Sequence, residues 1–330
     1  MRLLLALALV LCSAIPAWCA GSGTGQADSV RGVFRFGFSA GTFTDANEND
    51  AKAAVKVWTQ TMARERGVPV ETDPVILNGP AEIARALRQK RIEAVALPVD
   101  EYRIVRQEVD PRVFIMSDDD RTNTYVLLVH ADSGITRLED LRGRSVVFWT
   151  NSRASLSEAW IDVTLLQAGH PPVEEFCRVT RERKLSSVVL PVFFRRSDAC
   201  VVTRRGFEAM VELNPQVGLR LKTLAVSVAL VPAGFCFRRG YDDPIRELIL
   251  GELSQLAATP AGRQVETLFQ FGTLRAMPVS VLDSALELLD THERLRKSRP
   301  GTPASAEKPR PADGKTDAMT PKPVGRGAAR

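Results

Sequence analysis

The segment Asp132–Phe148, DSGITRLEDLRGRSVVF, constrains this chain more than any other stretch of it. It reads as a turn, a short connection ending in LEDLRG, and a buried strand over Ser145–Trp149. A polar loop, Thr150–Ser155 (TNSRAS), follows at once and opens a helix. A strand whose C-terminal end runs into a polar helix start is where open α/β sheets hold ligands. On an exported chain, that arrangement points to a captured small molecule rather than to catalysis on a macromolecule.

Export is read from the N-terminus. Arg2 precedes an apolar run from Leu3 to Leu11, and the small residues Ala17 and Cys19 follow at the spacing a signal peptidase requires. The run is too short to cross a bilayer, so residues 1–20 are expected to be a cleaved signal peptide and the mature chain periplasmic. Apolar residues make up 45% and charged residues 25% of the chain, a globular composition whose length suits two lobes. The net charge of +5 is carried by one end: residues 296–330 hold nine Lys/Arg against three Asp/Glu, which leaves −1 for the rest. That tail is rich in Pro, Lys, Ala and Gly without apolar periodicity, and it is expected to be disordered. Its charges are spread rather than clustered, and no nucleic-acid partner is expected. Beyond the signal, Cys177, Cys200 and Cys236 are too few and too widely spaced for a disulfide framework or a zinc site.

The body repeats one grammar. A strand over Val33–Phe38 leads to a polar loop and a helix capped at Asn49 or Asp50, followed by a strand at Val75–Leu77. A helix from Pro80 to about Gln89 and a strand at Ile92–Leu97 complete the first set. The second set comprises strand Ser145–Trp149, helix Ser155–Ala168, strand Phe176–Val179, helix Leu185–Phe194 and strand Ala199–Thr203. An apolar strand, Tyr125–His130, joins the two sets, and Leu224–Val231 leads back to a strand at Phe235–Arg238. Helices over Pro244–Ala258, Pro260–Phe269 and Val281–Arg296 close the body. Alternation of this kind predicts mostly parallel sheets flanked by helices.

These residues carry a resemblance. Tyr125 entering the crossing strand, DSGITRLEDLRGRSVVF, Ser197-Asp198-Ala199, NPQVGLRLKTLAVS (214–227) and Pro232 follow one another in the order seen in extracytoplasmic solute-binding proteins of the phosphate/phosphonate type. The chain resembles that family over about residues 31–295. The resemblance implies an α/β, two-lobed type II periplasmic binding protein fold with two crossing strands as hinge. The first lobe would comprise residues 31–125 and 232–295, and the second 126–231. It implies a monomer that captures a small anionic ligand between the lobes and delivers it to the membrane permease of an ABC importer. The strands of Cys200 and Cys236 could be neighbours in such a fold, so a disulfide between them stays open. Phosphonate-binding members typically carry a Ser-Thr-Ser-Gly-like turn after the second-lobe strand. Here the turn is Asn151-Ser152-Arg153-Ala154-Ser155, with an arginine inserted and no glycine.

Candidate ligand contacts follow from strand ends. In the second lobe these are Asn151, Ser152 and Arg153 at the helix start, where free N–H groups and the dipole favour an anion. Ser155 also fits a capping box with Glu158. Arg204, just past the last strand, could pair with an oxyanion as Arg153 could. Ser39, Thr42 and Tyr102 follow first-lobe strands, and Tyr125 could wall the cleft. The acids Asp45, Glu48 and Asp50 read as complements to a helix start, and Asp118–Asp120 as a solvated turn rather than a calcium loop. No Ser–His–acid order, nucleophile elbow, histidine pair or glycine-rich phosphate loop occurs, so no catalytic residue, metal or cofactor is assigned. A ligand-sensing partner of a membrane sensor kinase or chemoreceptor would need the same clamp. A secreted hydrolase is the reading from a different class.

Overall fold

The computed structural model describes residues 34–43, 48–66, 74–119, 123–253, 255, 258–269 and 272–299. The expected signal peptide, Asp45, Asp120 and residues 300–330 of the tail lie outside them.

The Phe-rich opening forms β1 (Phe36–Ser39), followed by α1 (Glu48–Arg66) and β2 (Val75–Leu77). Pro80 occupies the first turn of α2 (Pro80–Arg88), where an N–H has no helical partner to lose, and Ile83, Ala86 and Leu87 are buried. β3 (Ala94–Pro98) runs directly into α3 (Val99–Val105), and β4 (Val113–Ser117) ends this half. β5 (Tyr125–His130) is buried at every position, as a strand covered on both faces must be. Then come β6 (Ser145–Trp149), α4 (Ser157–Gln167), α5 (Val173–Phe176) and β7 (Arg178–Glu182). α6 (Leu185–Phe193) ends two residues past Pro191, which cannot donate a helical hydrogen bond. β8 (Ala199–Thr203), α7 (Arg204–Leu213), α8 (Pro215–Arg220) and β9 (Leu221–Val226) follow. β10 (Ala233–Phe237), α9 (Pro244–Leu253), α10 (Pro260–Phe269), β11 (Leu274–Pro278) and α11 (Asp283–Lys297) complete the chain.

The strands form two sheets, ordered β11-β4-β10-β3-β1-β2 and β7-β6-β8-β5-β9. Both are mixed, which corrects the expectation of mostly parallel sheets. β1 pairs parallel with β2 and β3, and β6 with β7 and β8, as helix-connected strands do. β10 enters between β3 and β4 antiparallel to both, and β5 is antiparallel to β8 and β9. The antiparallel members are the strands the chain uses to arrive from, or return to, the other sheet. The crossings therefore fall between Ser117 and Tyr125 and between Val226 and Ala233. Tyr125–His130, expected to join the lobes, lies wholly in the second sheet.

Several boundaries also move. α1 starts at Glu48, so Asn49 and Asp50 lie in its first turn rather than capping it. α4 starts at Ser157, not Ser155, and the strand expected at Phe176–Val179 is the end of α5 followed by β7. The segment leading back begins with β9 at Leu221, three residues before Leu224, and the return strand is β10, at Ala233–Phe237 rather than Phe235–Arg238. Cys200 lies in one sheet and Cys236 in the other; both are buried free thiols, as is Cys177, so the open disulfide does not form. Burial pushes the Cys177 thiol up to about 11. Arg296, Lys297 and Arg299, expected to begin the unstructured tail, are ordered, Arg299 holding Glu175 through both guanidinium Nη atoms at 3.0 and 2.9 Å.

One apolar cluster runs through both sheets. It takes Leu77, Leu97 and Phe114 from the first and Leu127, Val146 and Phe148 from the second, with Leu282 and Ala285 laid across them. Each large side chain removed from water in it contributes about 1.5–3 kcal/mol before entropy is counted.

Candidate functional site

The C-terminal ends of β1 and β6 carry single 3-10 turns, Ala40–Phe43 and Ser152–Ala154, one from each sheet. The two turns lie within 8 Å of one another between Cα atoms, so the sequence-selected loops do face each other. Each turn is built by the residue before it. Ser39 is fully buried, and its Oγ accepts from the Gly41 N–H at 3.0 Å while its carbonyl accepts from Thr42 Oγ1 at 2.7 Å. Asn151 is buried and its Oδ1 accepts from the Arg153 N–H at 2.9 Å.

The second turn is also held from behind. Tyr125 is fully buried; its hydroxyl donates to the Arg153 carbonyl at 3.0 Å and accepts from the Leu156 N–H at 3.4 Å. Asn123 Nδ2 donates to the same carbonyl at 3.0 Å. Ala154 and Ser155 N–H donate to the carbonyls of Asn151 and Ser152. The N–H groups of residues 153–156 are therefore all spent inside the protein, against the expectation that this loop offers free donors to an anion. What it offers instead is a side chain. The half-buried Arg153 guanidinium makes no hydrogen bond or ion pair among the described residues.

The other candidates divide. Thr42 and Ser152 lie in the facing turns. Arg204 is the first residue of α7, exposed, with Nε 3.3 Å from Thr124 Oγ1 in the crossing. Its neighbour Arg205 is committed to Asp119 at 2.5 Å, which ties α7 to the other end of that crossing. Ser155 is exposed and closes the 3-10 turn. It forms no capping box, because α4 begins beyond it and Glu158 instead receives Arg181 at 2.7 and 2.8 Å. Tyr102 does not wall a cleft. It is 3% exposed, its ring meets Phe114 edge-on, and burial raises its hydroxyl to about 12.

Sequence reasoning missed Asn123, Thr124 and Ser227, the residues that align the crossings with the site. The Tyr125 N–H donates to Ser227 Oγ at 2.8 Å, and the Leu230 N–H donates to the Asn123 carbonyl at 2.8 Å, so the two crossings are bonded side by side. The Asn-Thr pair just before an all-apolar strand was the available signal. It also missed that Thr203 caps α7, its Oγ1 accepting from Gly206 N–H at 3.0 Å.

Two α/β lobes, crossed twice by the chain and presenting facing strand-end turns, define a type II periplasmic binding protein. Solved structures share this fold: XAC2383 from Xanthomonas citri bound to chloride ion (17% identity, TM-score 0.55, 80% of this chain and 99% of that one). A binding protein component of an ABC phosphonate transporter, PA3383 from Pseudomonas aeruginosa, aligns at 15% identity and TM-score 0.52 over 82% and 90% of the chains. PhnD1 from Prochlorococcus marinus in complex with methylphosphonate aligns at 12% and 0.53 over 80% and 98%. No curated protein matches in sequence. Residues 40–280 match the family model of the periplasmic substrate-binding proteins of ABC phosphonate transporters, and the chain belongs to that family. Its members are solute-binding proteins, not enzymes, and the family implies an extracytoplasmic location and a membrane permease partner. Neither the sensing role nor the hydrolase reading finds support in it.

Proposed function

We propose that the chain, exported by cleavage of its first 20 or so residues, captures a small oxyanion of the phosphonate class between the turns Ala40–Phe43 and Ser152–Ala154, and passes it as a monomer to the permease. The observation that carries this is Arg153, half-buried at the facing turns, whose guanidinium has no partner among the described residues. A planar fork of donors matches two oxygens of one phosphorus or carboxyl group. Thr42 and Ser152 lie in the same two turns, and Ser39, Asn151 and Tyr125 fix the two backbones. The ligand contact then rests on a side chain at the place where phosphonate-binding members typically carry a Ser-Thr-Ser-Gly-like turn.

Native mass spectrometry of the protein released gently from the periplasm tests this. A retained anion of one mass is the expected result, and methylphosphonate is the first compound to add back to emptied protein. An empty protein whose melting temperature responds to no phosphonate, phosphate, sulfonate or carboxylate would overturn it.

A further inference from the structure

The last helix belongs to the first lobe by chain order, since it follows β11, yet its deepest polar contact is with the second. Asp162 of α4 has a side chain only 6% exposed, and its carboxylate takes three donors. His292 Nε2 of α11 lies 2.8 Å from Oδ2, Arg296 Nη1 3.2 Å from the same oxygen, and Val173 N–H of α5 donates to Oδ1 at 2.7 Å. A buried carboxylate is costly unless fully paired, so this contact fixes one register of α11 on α4 where apolar packing alone would permit sliding. Flanking His292 on the same helix, Asp290 and Glu293 both receive Arg103 of α3, at 2.7 and 2.6 Å. α3 follows directly from β3 and so moves with the first lobe. Here the groups are partly solvated: the Arg103 side chain is 26% exposed, Asp290 57% and Glu293 39%. Thus α11 is anchored to the second lobe by a buried contact and caught on the first by a weaker, more exposed one, in a structure whose facing turns are close together.

We infer that α11 is a catch between the lobes that biases the ligand-free protein toward the closed arrangement, with Asp162–His292–Arg296 as the contact that crosses to the second lobe and Arg103 with Asp290 and Glu293 bracing the helix on the first. Arg103 and His292 are positioning residues: neither is among the residues of the facing turns. Because the crossing contact acts through the braced helix, releasing either one loosens the same hold. The inference depends on the capture reading only in that the lobes move.

Small-angle scattering of the ligand-free protein tests it, with thermal melts to confirm that each variant folds. Arg103→Ala, at a partly exposed position, is expected to enlarge the radius of gyration, a roughly two- to fivefold shift of the closed-to-open ratio for a partly exposed pair. His292→Ala is expected to do the same and His292→Gln, which keeps a donor, to restore the wild-type size. The double variant Arg103→Ala/His292→Ala should be no larger than either single one. High salt should open the wild type and leave Arg103→Ala unchanged. An unchanged radius in Arg103→Ala, or additive enlargement in the double variant, would overturn the catch. No ligand enters this measurement, so failure of the capture reading shows separately, as absence of any ligand response in the wild type.

Discussion

Arg153 is the residue on which the capture reading turns, because its backbone is pinned by Asn151, Asn123 and Tyr125 while its guanidinium has no hydrogen bond or ion pair among the described residues. Removing a charged hydrogen-bonding partner of a bound anion costs about 1.5–3 kcal/mol, and roughly ten- to a hundredfold in affinity. Arg153→Ala should therefore weaken binding by that factor in titration calorimetry, with a melting temperature close to wild type. A second residue has the opposite profile. Asp198 Oδ2 accepts from the Ser145 N–H at 2.8 Å and from its Oγ at 2.7 Å, and its own N–H donates to that Oγ at 2.9 Å. The Ser197-Asp198-Ala199 motif thus stitches the start of β8 to the start of β6. Burial alone would raise this carboxyl, but the Ser145 donors and Arg144 outweigh it and hold it below the usual range. A depressed carboxyl contributes stability that is present above its unfolded value near pH ~3.9 and is lost as pH falls through the folded value. Asp198→Ala should cost about 1–3 kcal/mol at neutral pH in denaturant melts, and the deficit should shrink toward acid.

Among the elements, those whose own residues decide them were legible in the sequence. β2, β5, β6, β8 and α10 have the expected bounds, because an apolar run between turn residues or a Pro-initiated amphipathic segment needs no distant partner to be recognised. β4, β11 and α3 were not found. α3 starts with no loop after β3, so no break marks it, and β11 is a partly exposed edge strand defined by its pairing from Leu274–Ser117 to Pro278–Val113. The same limit applies at the site. Ser39, Asn151 and Tyr125 were legible as residues at strand ends, but their inward roles depend on hydrogen bonds that only the folded chain creates. β10 shows a constraint of this kind that can be tested. A Cβ on Gly234 would lie 2.5 Å from the Ile115 carbonyl and would overlap the Phe114 ring. Gly234→Ala should cost about 1–3 kcal/mol or more through overpacking, seen as a lowered melting temperature, and by loosening the return strand it should weaken ligand binding as well.

For the whole molecule, the essential point is that two sheets share one apolar cluster yet meet at polar turns on one side, with two bonded crossings between them. Such a body moves by rotation of one lobe against the other about the crossings, and a ligand held by both turns favours the closed form by its differential affinity for it. Small-angle scattering of the mature protein, titrated with methylphosphonate and then with phosphate, sulfonates and carboxylates, tests capture by closure most directly. The account predicts that at least one of these anions, at saturation, reduces the radius of gyration, and that Arg153→Ala needs roughly ten- to a hundredfold more of it for the same change. A radius that stays constant with every anion while one of them binds tightly would contradict it.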